Sequence, residues 1–250
     1  RRAELAGNVK LLFQPAEETV GGAATMIADG CLEHPRVDFV LRLHVMPYLP
    51  VGRVETRKGA LNGSSTDLRV VVRGLGCHAA YPERGVDAVM IAAQVVNALH
   101  TLVSRSVSPL DSAVLTIGTI QGGTASNVVA DEVTMNATLR TASDEVRDLL
   151  VSKAQAIVEG VPATLGGSGS LEVAYGYAAL VNDSDVVDVV AAAADDVLCP
   201  GNLEWKERPS MGVEDFSFFC KERPGAFYHL GCGNLGRGIV APLHASTFDL

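Results

Sequence analysis

The chain has 250 residues, of which 48% are hydrophobic, and this is enough for one large domain or two modest ones with a substantial core. The formal net charge of -9 comes from interspersed acidic and basic residues, which argues against a nucleic-acid-binding surface. No apolar stretch reaches about 18 residues without a charge, so we expect no membrane-spanning segment. The five cysteines form no C-x-x-C pair, and we expect reduced thiols in the cytoplasm.

The start of the chain predicts a strand, a turn and a helix. Residues 9–13 are mostly apolar and predict a short buried strand, which Pro15 ends because proline cannot donate to a ladder. Glu17 and Glu18 follow where the chain leaves the sheet, and residues 23–29 predict a helix of small residues. Neighbouring side chains of an extended segment point to opposite sides, so one carboxylate can hold a cation while the other faces a reacting group. The alternative is an ordinary solvated acidic pair at a helix start.

The next segment predicts two further strands. Residues 37–45 are apolar enough for a strand at the centre of a sheet, with His44 at its C-terminal end. Pro47 and Pro50 should break this strand, and residues 51–57 predict another one. The order strand, helix, strand indicates an α/β fold with a parallel or mixed sheet.

A polar stretch at residues 60–66 marks our first domain boundary. The elements expected after it are a strand at 68–72, a helix at 86–103, strands at 113–120 and 132–140, a helix at 143–158 and a strand at 171–177. This βαββαβ order is that of a ferredoxin-like sandwich. The last part of the chain predicts helices at 185–198 and 215–220 and a strand at 226–230.

Several short motifs follow one another along the chain: Gln14-Pro-Ala-Glu-Glu18, His44-Val-Met-Pro47, Gly76-Cys-His-Ala-Ala80, Asn127-Val-Val-Ala-Asp131 and Glu214-Asp-Phe216. Together they resemble the metal-dependent aminoacylase/carboxypeptidase amidohydrolases, in particular the branch of the hippurate hydrolases and indoleacetyl-amino acid hydrolases. The resemblance covers nearly the whole chain. It implies an α/β catalytic domain with a mixed sheet, incomplete here, from residues 1–59 and 178–250. A ferredoxin-like βαββαβ lid domain, residues 60–177, would be inserted between its two parts.

The resemblance also implies roles for particular residues. Glu17 would be the general base and Glu18, His44 and His244 would be metal ligands, although a histidine at a strand end is more often structural. Two divalent metal ions, zinc or manganese, are implied, of which one keeps Glu18 and His244 and the other only His44. Relatives carry an upstream His-Ala-Cys-Gly-His-Asp-type stretch that supplies a bridging Cys and a further His. This sequence does not match that stretch or the closing helix of relatives, so we expect a chain truncated at both ends.

In the lid, the resemblance implies that His78 from a partner subunit polarises the scissile carbonyl. Asn127 and Arg140 would bind the substrate's α-carboxylate, for which a guanidinium group is well suited. Cys77 departs from the usual Gly-Gly-His-Ala-Ala pattern of relatives. A turn-capping histidine and a solvated arginine are the alternatives.

The predicted reaction is hydrolysis of the amide bond of N-acyl amino acids or related small amides, by a homodimer joined through the lid. The alternative is a non-catalytic or truncated homologue that acts as a ligand-binding or dimerisation module. Gly231-Cys-Gly-Asn-Leu-Gly236 fits the dinucleotide pattern G-x-G-x-x-G, but too little chain follows for a βαβ unit. Cys77 and His78 as a thiol nucleophile pair lack an orienting acid.

Overall fold

The computed structural model describes residues 6–250, and its contacts divide the chain into two units. Unit 1 consists of the described residues up to Leu61 together with Leu180–Arg208 and Glu214–Leu250. Unit 2 consists of Asn62–Ala179 and Pro209–Val213. The first unit is therefore built from both ends of the described chain and the second from its middle.

Between one and five strands separate successive helices of the described chain. The helices are α1 (Ala23–Ala28), α2 (Ala88–Ser106), α3 (Asp144–Thr164), α4 (Ser184–Leu198) and α5 (Ser217–Glu222). The strands are β1 (Val40–Pro50), β2 (Val54–Thr56), β3 (Gly59–Asn62), β4 (Thr66–Arg73), β5 (Cys77–His78), β6 (Ala113–Gly122), β7 (Val128–Val129), β8 (Glu132–Thr141), β9 (Ser168–Tyr175), β10 (Leu180–Asn182), β11 (Leu203–Trp205) and β12 (Gly225–Gly233).

The main sheet of unit 1 is mixed, as the sequence predicts. Its strand order is β1-β12-β2-β11, with β1 parallel to β12, β2 parallel to β11, and β12 antiparallel to β2. Phe219 of α5 and Phe227 of β12 are fully buried and share a core with Leu61 and Leu180. This apolar core holds β12 in place, and candidate site residues lie on β12 and on its parallel neighbour β1.

The strand β1 differs from the sequence prediction in two respects. It lies at the edge of the described sheet, so the expectation of a central strand is wrong. It also continues through Pro47 to Pro50, and His44 therefore lies in its middle. An edge strand tolerates a residue without an N–H, and the pairing with β12 is irregular at this point. Opposite it, Gly231 and Gly233 have no room for a Cβ, which would collide with the carbonyl oxygens of Pro50 and Pro47.

Residues 9–13 form no strand, so the prediction of a buried strand there is wrong. Val9, Leu11 and Phe13 are exposed to 71%, 74% and 85%. The strands in the described part of the chain all pair elsewhere, and none pairs with this segment. An apolar pattern makes a strand only where a ladder partner satisfies the backbone, and no described strand pairs with these residues.

Unit 2 contains the predicted βαββαβ order in the elements β4, α2, β6, β8, α3 and β9. The strands form an antiparallel sheet with the order β6-β8-β4-β9, and α2 and α3 share a buried core with it. Within the described residues, α2 is the one helix long and apolar enough to span a membrane, by length and composition alone. Its apolar side, with Ile91, Val95 and Leu99, is buried in the core of unit 2, which accounts for this composition.

The N-terminus of α2 offers a test of this fold. The Asp87 carboxylate accepts hydrogen bonds from the amides of Val89 and Met90 at 2.9 and 3.1 Å. We expect Asp87→Ala to lower the free energy of unfolding of unit 2 by about 1 kcal/mol, because two helix amides lose their acceptor. Asp87→Asn should change it by only a few tenths, because asparagine caps equally well. Urea unfolding followed by circular dichroism measures both, and equal losses in the two variants would contradict the capping role.

Candidate active site

The Glu17–Glu18 pair lies in a turn that closes on the carbonyl oxygen of Ala16. The amides of Thr19 and Gly21 donate to this oxygen at 3.1 and 2.8 Å. Ala16 itself has a φ of 61°, a left-handed conformation that costs an L-residue about 1 kcal/mol. Contacts outside the turn must therefore hold it in place.

Those contacts come from a carboxylate far away in the sequence. Asp215 is fully buried and accepts hydrogen bonds from the amides of Gly22 and Ala23 at 2.8 and 3.0 Å. Its other oxygen accepts from the side-chain amide of Gln14. Gly22 has no room for a side chain, since a Cβ there would collide with the carbonyl oxygen of Pro15. The two ends of the turn thus meet at Asp215, which also caps α1 in place of a local residue.

Three carboxyl groups lie together beside this turn. Within residues 6–250, Glu17, Glu214 and Asp215 are the one group of three or more potential metal ligands with donor atoms within 4.8 Å of one another. The Arg42 guanidinium contacts the Glu214 carboxylate and lies 3.6 Å from Asp215. The positive charge of Arg42 therefore offsets part of the negative charge of the three carboxyl groups.

Burial and the charges of neighbouring carboxylates raise the pKa of two of these groups, Glu214 and Glu17. Burial raises the pKa of Glu214 to about 7; Glu17 and Asp215 act in the same direction, while Arg42 and the Phe216 amide lower it. Burial also raises the pKa of Glu17, helped by the charge of Glu18 and opposed by Arg42. A carboxyl group with a raised pKa is a stronger base once it is ionised, which suits proton transfer near neutral pH.

Two of the three predicted metal ligands are neighbours. The Nε2 atom of His244 lies 3.7 Å from a carboxylate oxygen of Glu18, and both side chains are mostly exposed. Two ligands about 2.1 Å from one zinc ion are about 3.4 Å apart at a tetrahedral angle. The separation of Glu18 and His244 is therefore close to that of two ligands of one ion.

The third predicted ligand, His44, is oriented by its own strand. Its Nδ1 atom lies 2.7 Å from the carbonyl oxygen of Val45, so Nδ1 is the donor and Nε2 keeps its lone pair. A metal-binding histidine usually has its second nitrogen held in this way. Carboxylate and imidazole donors fit zinc or manganese. The predicted ligands would give two to one ion and one to the other, whereas a catalytic zinc site usually has about three protein ligands.

In unit 2 the structure brings two of the predicted residues together. His78 lies on β5, which pairs with β7, and the amide of Ala79 donates to the carbonyl oxygen of Asn127 at 3.0 Å. The amide of Ala80 donates to Nδ1 of His78 at 3.1 Å. Nδ1 is therefore an acceptor, and in the neutral ring the proton is on Nε2. His78 thus presents an N–H donor.

Arg140 lies apart from these two residues. It is near the C-terminal end of β8, whereas Asn127 precedes β7 and the N-terminal end of β8 at Glu132. Arg140 lies eight positions after Glu132 along the strand, a distance of about 26 Å at about 3.3 Å per residue. The structure therefore places Arg140 and Asn127 at opposite ends of the sheet of unit 2.

Sequence reasoning missed a buried network around His229. The His229 side chain, only 2% exposed, has its Nδ1 atom 2.7 Å from Glu55. The hydroxyl group of Tyr48 donates to the same carboxylate oxygen at 2.6 Å, and Lys206 lies 3.0 Å from it. His229 is also the register partner of His44 on the neighbouring parallel strand. The signal available in the sequence was a histidine inside an apolar strand, with no local mark of its partner.

The ionisation of this pair follows from its surroundings. Burial lowers the pKa of His229, although the hydrogen bond to Glu55 acts in the opposite direction. Burial disfavours the ionised form of Glu55, but hydrogen bonds from Tyr48, His229 and Lys206 outweigh it and lower its pKa. The network is therefore built around an ionised carboxylate and a neutral imidazole at neutral pH.

Comparison with known proteins identifies the family. Unit 1 is a mixed α/β unit that presents paired carboxylates and imidazoles, and the βαββαβ unit is inserted in its sequence. The chain belongs to peptidase family M20/M25/M40, whose family model matches residues 1–250.

The chain is similar to N-acetyldiaminopimelate deacetylase of Priestia megaterium, with 36% identity over 91% of this chain and 60% of that protein. It is similar to N-acetyl-L-cysteine deacetylase of Bacillus subtilis, with 37% identity over 91% of this chain and 53% of that protein. Among solved structures it resembles a dinuclear metal-binding peptidase of family M20 from Bacillus subtilis, with a TM-score of 0.73 and 27% identity. That match covers 88% of this chain and 54% of that one, so the chain spans a little over half the length of these relatives.

The Glu55–His229 pair gives unit 1 a defined pH dependence. Below about pH 6.5 the unfolded chain protonates His229, whereas the folded state resists protonation because burial lowers this pKa. We expect the free energy of unfolding to fall by up to about 1.4 kcal/mol per pH unit between that value and the folded-state pKa. The lowered pKa of Glu55 adds stability above its ordinary value of 4.5, which is lost as the pH falls through the folded-state pKa.

Urea unfolding at about pH 7 and about pH 5.5 measures the first part of this dependence. Trp205, the one tryptophan, lies in β11 of unit 1 and reports its unfolding by fluorescence. His229→Gln should flatten the dependence, while His34→Asn, at an exposed position of the same unit, should leave it unchanged. An equal slope in His229→Gln and the unsubstituted chain would show that another group is responsible.

Proposed function

We propose that this protein hydrolyses the amide bond of N-acyl amino acids with divalent metal ions as cofactors. The observation that carries the proposal is the turn in which Glu17, with a raised pKa, adjoins Glu18 at 3.7 Å from His244. The names of two relatives support it, since both denote removal of an acetyl group from the nitrogen of an amino acid. Because the two amino acids differ, the N-acyl group is the shared chemistry, and an N-acetyl amino acid is the substrate class that we propose.

Glu18 and His244 would hold one metal ion, and the Nε2 atom of His44 would bind a second. Zinc or manganese fits these donors, and a related structure is that of a dinuclear metal-binding peptidase. When bound, the ions supply a Lewis acid that lowers the pKa of a water molecule toward about 7. The orientation of His44 by the Val45 carbonyl supports its part, because Nδ1 is engaged in that hydrogen bond and the lone pair of Nε2 is free for a metal ion.

The protein's own groups would move the protons. Glu17 would take a proton from the attacking water and deliver it to the leaving nitrogen. Its raised pKa makes the carboxylate a better proton acceptor while leaving the carboxylic acid able to donate near neutral pH. The Nε2–H group of His78 would donate to the carbonyl oxygen as negative charge develops there. Asn127 and Arg140 would bind the α-carboxylate of the substrate.

We propose that unit 2 is a lid that joins two copies of the chain, so that each site takes residues from both. The positions within unit 2 support this, because Asn127 and Arg140 lie at opposite ends of a strand β8 that runs about 26 Å from Glu132 to Arg140, too far for one small substrate to reach both residues of one copy. The strand β6 is at the edge of the sheet of unit 2, where a second copy could extend the ladder.

All five cysteines are free thiols, which supports a reducing compartment such as the cytoplasm.

The alternative function is a non-catalytic or truncated homologue that acts as a ligand-binding or dimerisation module. One observation favours it: the three predicted ligands alone are too few for a firmly held pair of ions. Metal analysis together with hydrolysis of N-acetyl-L-cysteine, with and without added zinc or manganese, separates the two functions.

The general base is tested by Glu17→Gln in the complete natural chain that contains these residues. We expect kcat to fall by about 10²- to 10⁴-fold, because the amide cannot accept the proton, while the metal content stays unchanged. Glu207→Gln, at an exposed position of unit 1, is the matched control and should keep full activity. Undiminished hydrolysis by Glu17→Gln would exclude this residue as the base.

The dimer is tested at the edge strand. Val114 and Ile120 of β6 are 43% and 55% exposed, and lysine at an edge blocks the addition of another strand. We expect the double variant Val114→Lys, Ile120→Lys to have half the mass of the unsubstituted protein by light scattering. Val197→Lys, at a position of α4 that is 76% exposed, should leave the mass unchanged. A monomeric unsubstituted protein, or an unchanged mass in the double variant, would contradict this interface.

A further inference from the structure

We infer that Asp215 is a positioning residue that clamps the turn carrying Glu17 and Glu18 and thereby sets the place of the general base. The inference rests on the proposed role of Glu17 and goes beyond it, because Asp215 would act on the reaction without touching the substrate.

The clamp consists of two oxygens that hold the two ends of one turn. One oxygen of Asp215 accepts from the side chain of Gln14, which precedes the turn. The other accepts from the amides of Gly22 and Ala23, which follow it. Asp215 is 0% exposed, so water does not compete for these bonds. Both ends of the turn are therefore fixed by a single buried group.

Arg42 supports the clamp in two ways. Its guanidinium lies 3.6 Å from Asp215 and contacts Glu214, so it offsets the charge of two buried carboxylates. It also donates to the side-chain carbonyl of Gln14 at 3.3 Å. With that oxygen occupied, the NH₂ group of Gln14 faces Asp215, which fixes the orientation that the clamp requires.

Besides the clamp, the segments that flank the turn are held by packing, since Leu12 before it and Ala23 of α1 after it contact the core of unit 1. The preceding residues 9–13 belong to no strand, and the following helix α1 has only six residues. No described strand precedes the turn and only one short helix follows it, so backbone hydrogen bonds of regular elements contribute little to its position. Loss of the clamp would let Glu17 move by the small distance that reduces catalysis, since a 1 Å displacement of a catalytic group can cost about 100-fold in rate.

The test compares Asp215→Ala with Asp183→Ala in the complete natural chain. Asp183 also belongs to unit 1, where it accepts from the amides of Asp185 and Val186, both at 3.0 Å, at the start of α4. Both variants therefore remove a carboxylate that caps two helix amides, but only the first change lies at the Glu17 turn. Hydrogen exchange of the Gly22 and Ala23 amides reports the clamp directly, and kcat and KM for N-acetyl-L-cysteine report its effect on the reaction.

We expect Asp215→Ala to speed exchange at Gly22 and Ala23 and to lower kcat by about 100-fold, with KM changed much less. Asp183→Ala should keep both the protection of these amides and kcat. Unchanged protection in Asp215→Ala would overturn the inference, and so would an equal loss of kcat in the two variants, because that loss would reflect stability alone. If Glu17→Gln is fully active, the proposed function fails, and the exchange measurement still decides whether Asp215 clamps the turn.

A second variant covers the case in which Asp215→Ala does not fold. Gly22→Ala keeps Asp215 but forces a methyl group against the carbonyl oxygen of Pro15. The helical φ of -105° at Gly22 is open to alanine, so this close approach is the obstacle. We expect the same fall in kcat with little change in KM. Full activity of folded Gly22→Ala would overturn the inference.

Discussion

The parallel pairing of β1 with β12 is the constraint on which unit 1 depends. It sets Arg42 opposite Phe227 and His44 opposite His229, and residues two apart on one strand share a face of the sheet. One face therefore carries a guanidinium directed to the carboxyl cluster, a candidate metal ligand and a buried imidazole. Phe227 is buried, and its ring packs against the Arg42 guanidinium, with 5.8 Å between Cζ and the ring centroid. This contact helps to fix the position of the guanidinium on that face.

The buried carboxyl groups of unit 1 are each offset by cations or hydrogen-bond donors close to them in space. The three carboxyl groups beside the Glu17 turn have Arg42 as their cation, whereas Glu55 has Lys206 and a hydrogen-bonded imidazole. In both places a buried carboxylate is stabilised by several donors that come from separate parts of the chain. Such groups tie distant segments together more specifically than apolar packing does, because each donor must meet its acceptor at a set distance.

The sequence predicts unit 2 well because its signals are local. The helix α2 has Asp87 as a cap, α3 has Ser143, and the intervening strands carry apolar residues at alternate positions. Unit 1 is predicted less well because its features depend on partners remote in sequence. The segment 9–13 has a strand pattern without a ladder, and β10 and β11 have only three residues each, too short for any periodicity. The contacts of Asp215 and of His229 join residues more than 170 positions apart, which no local pattern records.

The glycines of β12 have a consequence for how sequences of this kind are interpreted. Gly231 and Gly233 supply the first two positions of a nucleotide-binding fingerprint, yet the backbone of Pro50 and Pro47 occupies the space that their side chains would need. The pattern thus arises from crowding between two strands whose pairing shifts in register near the prolines of β1. A glycine-rich motif at the end of a strand can be required by the close approach of an adjacent main chain as readily as by the binding of a phosphate. Only the identity of the group that lies against the glycines distinguishes the two cases.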